Sequence, residues 1–430
     1  MPVIALAILT FAHVLPWLVN RSATPTDPVK ICFALSAITT IPYLTLIAFG
    51  YKSDVLIRFD EHHLNELLVV FSMLYSAGLV ALWFGVAIGL KLKLGRAIKL
   101  SKQKTSPLGT TFVISMLLAL YLFGLLDKIG SSGGVEFILS NLNRRVSIIE
   151  RSSPISWLME PSAFLLCFVL LYSHGNSKFP GRIVTSLLIF FIFISLAFFG
   201  GRKLPIFVLI FSMMAYYIYV KKFNFYSVWT VSIGSILVLF FVGMLHYRGS
   251  TDLSLLSPAL TAANSVRNLS YIDTYIFIQD YFSRHGHWHG LTFRDLFVRT
   301  GITHDGSINV PIDDGVYIRT LFQGWHVMPP TDVSAMYPSS WPPETYGNGY
   351  LNFGAVGALA FFLIRGIIVG VCFAICRASK YAPTFYFIAL FAAFNFHMTN
   401  LRIVQFLLIL IPVLTFHYFI QGALRIRAAP

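Results

Sequence analysis

Apolar residues run in long blocks along this chain, each closed by a short polar connection. About eleven blocks can be read, at 2–19, 31–49, 67–90, 109–126, 156–173, 183–199, 204–220, 226–245, 350–376, 384–398 and 403–423. A helix rises 1.5 Å per residue, so most of these blocks can cross a hydrocarbon layer of ~30 Å. The pattern predicts an all-α polytopic membrane protein with about eleven transmembrane helices. Eight of them fall in 1–246 and three in 350–430, with one long loop, 247–349, between the two groups. Within that loop, Val266, Leu269, Ile272, Tyr275, Ile276 and Phe282 stand close to helical spacing over 262–284. This predicts an amphipathic helix lying on the membrane or on the bundle. The remainder, 285–349, is rich in Gly, Pro, Trp and His and reads as ordered, irregular loop.

Charge adds an orientation. Connections near 20–30, 91–108, 174–182, 221–225 and 377–383, together with the tail, carry 16 basic residues opposed by Asp27 alone. The other side carries 15 basic and 16 acidic residues. The positive-inside rule makes the first side cytoplasmic, placing the N-terminus outside, the C-terminus inside and 247–349 on the outer face. Composition agrees, since only 12% of residues are charged against ~25% in soluble domains. The positive excess is therefore a topology signal and an attraction to anionic lipid, not a nucleic-acid footprint. The outer basic residues are 12 Arg and three Lys. Arg is preferred where a planar fork must grip phosphate or carboxylate, although the outer carboxylates also need partners. The four cysteines all lie inside expected spans, which argues against disulfides and thiolate metal sites. Residues 1–19 lack a basic n-region and read as the first span.

No Walker loop, H-E-x-x-H motif or nucleophile elbow is present, so candidate chemistry falls to charged groups at the outer membrane edge. Arg202 and Lys203 follow Gly200-Gly201 in a tight turn, Arg248 follows His246-Tyr247, and Arg402 opens the last span. Arg144 and Arg145 lie in the second outer loop, 127–155. Arg365 lies within span nine, roughly 18 Å above its cytoplasmic end. A charge at that depth is costly unless it faces protein, water or an anion. It either lines a cavity or braces helices through a salt bridge. His285, His287 and His289 are read as hydrogen-bonding loop residues, because no Cys or paired carboxylate completes a metal site. Asp60-Glu61-His62-His63 reads as a solvated helix start. Neither a metal nor another cofactor is expected.

Four stretches together resemble the Wzy-type oligosaccharide repeat-unit polymerases. They are G-G-V-E-F-I-L-S-N-L-N-R-R at 133–145, G-G-R-K-L-P-I-F-V-L-I at 200–210, Y-R-G after span eight, and Y-L-N-F-G-A-V-G-A-L at 350–359. The resemblance implies a bacterial inner-membrane glycosyltransferase. Such an enzyme moves a glycan from polyisoprenyl pyrophosphate onto another lipid-linked repeat unit, building O-antigen or a related surface polysaccharide. Its implied partners are the lipid-linked glycan and membrane lipid, with a chain-length regulator as a further candidate. The leaving pyrophosphate needs fixed cations, which points to Arg202, Lys203, Arg248, Arg402, Arg365, Arg144 and Arg145 and to a metal-independent reaction. The acceptor hydroxyl needs a base, for which His326, Glu344 and His246 are the candidates. Family members often carry an acidic residue shortly before the aromatic-x-Asn-Phe-Gly run, where this chain has Asn348, with Glu344 four residues earlier. A ligase for finished O-antigen and a lipid-linked glycan flippase are the alternatives.

Overall fold

The computed structural model describes residues 1–19, 27–92, 107–140, most of 156–170, 181–200, 258–294, 308–311 and 314–378. No β-strand occurs among these residues. The helices are α1 (Pro2–Val19), α2 (Pro28–Ala48), α3 (Glu61–Lys91), α4 (Pro107–Ser131), α5 (Val135–Ser140), α6 (Arg182–Phe199), α7 (Pro258–Leu269), α8 (Ile272–His285), α9 (Gly315–Phe322) and α10 (Glu344–Ala378). Five described segments, within α1, α2, α3, α4 and α10, are long and apolar enough to cross a membrane, and α6 adds a shorter apolar helix. The chain is thus an α-helical membrane protein. The expected spans at 204–220, 226–245, 384–398 and 403–423 lie outside the described residues.

Local chemistry sets the helix starts. Asp27 caps α2 by accepting from the Val29 and Lys30 amides at 2.9 and 3.3 Å, with Pro28 opening the helix. Asp60 caps α3 by accepting from the His63 amide at 3.0 Å, with Glu61 in the first turn. The Asp60-Glu61-His62-His63 cluster is thereby accounted for as a helix start.

α3 is the axis of the described bundle, with α1 packed along it and α10 against it at very close range. A Cβ on Gly85 would overlap the Leu363 carbonyl, and one on Gly89 would overlap the Ile367 carbonyl. In return, a Cβ on Gly366 or Gly370 would strike the Leu82 or Val86 carbonyl. Gly85-x-x-x-Gly89 and Gly366-x-x-x-Gly370 are thus facing small-residue stripes that let two backbones touch, as in helix association within lipid. Because 85 meets 366 and 89 meets 370, the two helices run in the same direction.

α10 is two helices. Phe353 (φ −140°, ψ 16°) and Gly354 (φ 65°, ψ −152°) are non-helical, and the chain reverses there. A Cβ on Gly349 would overlap the Gly357 carbonyl, and Arg365 reaches back to Thr345. In a straight helix, twenty residues would hold those two about 30 Å apart. We therefore name 344–352 α10a and 355–378 α10b. α10b alone is about 36 Å long and sufficient as a span, so span nine starts after Gly354 and α10a folds back alongside it. Asn352 secures the reversal. Its amide nitrogen donates to the Asn348 carbonyl at 2.9 Å and to Thr292 Oγ1 at 3.0 Å, and its Oδ1 accepts from the Gly290 amide at 3.1 Å. The Trp288 and His289 amides donate to the last carbonyls of α10a, on Leu351 and Asn352, at 2.9 and 2.8 Å.

The amphipathic stretch expected at 262–284 is broken into α7 and α8 at Ser270-Tyr271, where the Ser270 hydroxyl accepts from the Ile272 amide. It rests on the bundle. Ile272, Tyr275 and Ile276 are buried with Phe71, Tyr75 and Phe362, while Ile278 and Phe282 enter a second core with Trp288, Val316, Tyr317, Leu321 and Leu351. Where such a large apolar side chain leaves water, outside the spans, it contributes about 1.5–3 kcal/mol. The segment after α8 is therefore organised around α9 and this second core. The Arg267 guanidinium ties the unit down, pairing with Asp54 and, at 2.8 Å, with Asp273, which also accepts from Tyr43 Oη at 2.7 Å.

Candidate functional site

The α10 reversal brings the start of α10a down beside the middle of α10b, and a polar cavity of about 30 Å³ lies there. α2 contributes Ser36 and Thr39, α3 contributes Tyr75, and the α7–α8 region contributes Tyr271 and Tyr275. α10a supplies Glu344, Thr345 and Tyr346, while α10b supplies Phe362 and Arg365. Tyr75 stands roughly 12 Å along α3 from Leu67, where its apolar run begins. The cavity is thus inside the helical bundle.

Glu344 is buried, with 7% of its surface exposed, and has φ 53°. A non-glycine residue in the left-handed region is uncommon and costs of order 1–3 kcal/mol, which the surrounding structure must offset. Pro342-Pro343 precede it, and the Pro343 carbonyl accepts from the Gly347 amide at 2.9 Å, starting α10a. A carboxylate in that first turn is favoured by the helix dipole. Arg365 Nη1 donates to Thr345 Oγ1 at 3.2 Å. Tyr75, Tyr275 and Tyr346 form the apolar wall, with ring centres 5.0–6.0 Å apart.

A hydrogen-bonded chain leaves the cavity across three helices. Tyr75 Oη lies 2.8 Å from Ser36 Oγ, which lies 2.9 Å from His13 Nε2, while His13 Nδ1 lies 2.7 Å from the Leu9 carbonyl. The carbonyl can only accept, so Nδ1 carries the proton. In the neutral imidazole Nε2 then accepts from Ser36, and Ser36 in turn accepts from Tyr75. The phenol proton of Tyr75 is thereby committed to Ser36, which lines the same cavity.

Of the residues singled out from sequence, Glu344 and Arg365 line this one cavity. His326 is exposed in the turn after α9 and is not among the cavity residues. His246, Arg202, Lys203, Arg248, Arg402, Arg144 and Arg145 lie outside the described residues. Sequence reasoning passed over His13, Ser36 and Tyr75. A histidine inside an apolar span was the signal, because ionisable groups at membrane depth carry a function by default. It also passed over Asp314, which is fully buried and accepts from Asn348 Nδ2 at 3.1 Å. A carboxylate and a guanidinium beside a water-sized cavity can hold and move a proton. At about 30 Å³ the cavity is of water size, and anything larger requires it to widen. Comparison of the chain with protein-family models, curated proteins and solved structures finds no match.

Proposed function

We propose that this protein is a membrane glycosyltransferase that polymerises polyisoprenyl-pyrophosphate-linked oligosaccharide repeat units at the outer face of a bacterial inner membrane. The observation that carries the reading is Glu344 beside Arg365 on one buried cavity, at the foot of a helix that continues into the Y-L-N-F-G stretch. In the proposed reaction the acceptor hydroxyl oxygen forms a bond to the anomeric carbon of the donor glycan. The anomeric carbon–oxygen bond to phosphate breaks, and the lipid pyrophosphate leaves with the electron pair. The hydroxyl proton passes to Glu344, which is favoured over the exposed His326 by its burial and fixed backbone. The leaving group is neutralised by arginines and Lys203 of the outer edge, without a divalent metal.

The accompanying topology is about eleven spans with the N-terminus outside and the C-terminus inside. It is supported by the charge split and by the common direction of α3 and α10b, since both then run from outside to inside. The test is a reconstituted assay with purified lipid-linked repeat units. Glu344→Gln is expected to lose polymer formation while inserting normally, and EDTA is expected to leave wild-type activity intact. Polymer made at the wild-type rate by Glu344→Gln would remove this residue as the base, and rescue of EDTA-treated enzyme by Mg²⁺ would overturn the metal-free reaction. Substituting lipid A-core as acceptor separates a polymerase from a ligase.

A further inference from the structure

Two arginines converge on one aromatic ring in the excursion, and neither makes an ion pair among the described residues. The short helical turn Leu56–Arg58 after α2 brings the Arg58 guanidinium over Phe322 at 3.9 Å, with Nη1 donating to the Phe322 carbonyl at 3.1 Å. From α9, the Arg319 guanidinium lies 5.1 Å from the same ring, 4.4 Å from Trp341 and 5.4 Å from Tyr337. The Arg319 guanidinium also hydrogen-bonds the Tyr337 side chain, but its Nε and Nη1 are buried and have no acceptor among the described residues. Asp54, which acts on Arg319 electrostatically, is already paired with Arg267. Like charges held this close disfavour each other, and their ring contacts satisfy only part of their donor capacity. Arg58 is exposed, leaving its fork open, and Trp325 next to this cluster is 48% exposed. The ring of Trp325 lies 6.4 Å from Tyr337.

We infer that Arg58 and Arg319, with Trp341, Tyr337 and Trp325, form a subsite for an anionic sugar, one bearing a carboxylate or a phosphate. The Arg58 fork grips the anion, Arg319 supplies a fixed positive charge beneath it, and the rings offer flat faces to sugar C–H groups. This deepens the proposed function and rests on it for the origin of the glycan. Binding of free sugars is measured without any transfer reaction, however, so the two proposals fail independently.

The test is saturation-transfer NMR on the full chain in phosphatidylcholine nanodiscs, with D-glucuronate, glucose 6-phosphate, glucose and glycerol 3-phosphate as probes. Glucuronate and glucose 6-phosphate are expected to bind saturably and glucose on the order of tenfold more weakly, as for loss of one charge-assisted hydrogen bond. Arg58→Gln is expected to remove the preference for the charged sugars. Arg58→Lys, which keeps charge without the fork, is expected to fall between, with thermal melts of both variants matching the wild type. Equal binding of glucose and glucuronate, or an unchanged preference in Arg58→Gln, would overturn the proposal. Binding of glycerol 3-phosphate as tightly as glucose 6-phosphate would assign the arginines to a lipid headgroup and overturn the sugar site.

Discussion

Arg365 donates to Thr345 at 3.2 Å although 20 residues separate them in sequence. That contact exists because the chain reverses at Phe353-Gly354, and the reversal carries Glu344 from an expected aqueous edge to a buried cavity. The candidate base and the intramembrane cation share a site through backbone geometry that lies nine to twelve residues from each of them.

Gly354 is therefore expected to be the least replaceable residue of α10. Its φ and ψ, 65° and −152°, fall in a region open essentially to glycine, and a Cβ there would overlap the His287 ring. Gly354→Ala is expected to cost about 1–3 kcal/mol or more in chemical or thermal unfolding. It is also expected to disturb Glu344 and Arg365 together. A variant with unchanged unfolding would show that the reversal tolerates a side chain.

The facing glycine stripes give a second expectation. Gly85→Val and Gly370→Val each push a branched side chain into a backbone carbonyl, which cannot move aside as a flexible side chain would. Each is expected to cost at least about 1–3 kcal/mol, read as a lowered melting temperature in detergent. Gly130→Ala is the control, because nothing lies within 4 Å of its added Cβ, and a change within about 0.5 kcal/mol is expected there. If all three variants melt alike, α3 and α10b do not approach as closely as these contacts require.

The spans were legible because a bilayer demands continuous apolar runs of a fixed length, as at 2–19 and 67–90. The reversal was not. Y-L-N-F-G-A-V-G continues an apolar helical pattern, and a glycine at positive φ reads the same in sequence as a helical one. What fixes it, the amides of Trp288, His289 and Gly290 donating to Leu351 and Asn352, comes from 62–63 positions away. The facing Gly-x-x-x-Gly stripes were each readable, but their pairing is a tertiary fact. Arg365 stood out because a charge within an apolar run is rare. His13 carries the same kind of signal, but its partners Ser36 and Tyr75 lie on other helices and only the fold brings them beside it.

The order of protons along Tyr75, Ser36 and His13 makes Ser36 the central member, donating to one neighbour and accepting from the other. Ser36→Ala leaves His13 Nε2 buried without its donor and is expected to cost about 1–3 kcal/mol. With Ser36 already replaced, Tyr75→Phe is expected to add little, so the double-mutant cycle should show a coupling of about 0.5–3 kcal/mol. Additive losses in thermal unfolding would mean that the three side chains do not act as one chain.

His287 stands against Gly354 and offers a pH handle on the reversal. Burial holds its imidazole below the ordinary value, and the His289 charge acts in the same direction. With the folded pKa depressed, the unfolded chain binds the proton more readily. Stability is then fully present above the unfolded value of about 6.5 and declines as pH falls through the folded one. Melting temperatures between pH 8 and 5 are expected to fall less steeply in His287→Gln than in the wild type. Identical slopes would remove His287 as a contributor.

Arg365 can serve the cavity through its charge, through its hydrogen bond to Thr345, or through both, and one pair of substitutions separates these roles. Arg365→Leu removes both. It is expected to abolish polymer formation and to lower the melting temperature, since α10a loses a tie to α10b. Arg365→Gln keeps an N–H donor without the charge. Recovery of the melting temperature without activity is expected, because a neutral amide can still bond a hydroxyl but cannot balance an anion in a poorly solvated site. The measurements are polymer yield from lipid-linked repeat units and thermal unfolding of the same purified samples. Restoration of both by Arg365→Gln would make Arg365 a brace between the two arms of α10, and the cation for the leaving group would have to come from elsewhere on the chain.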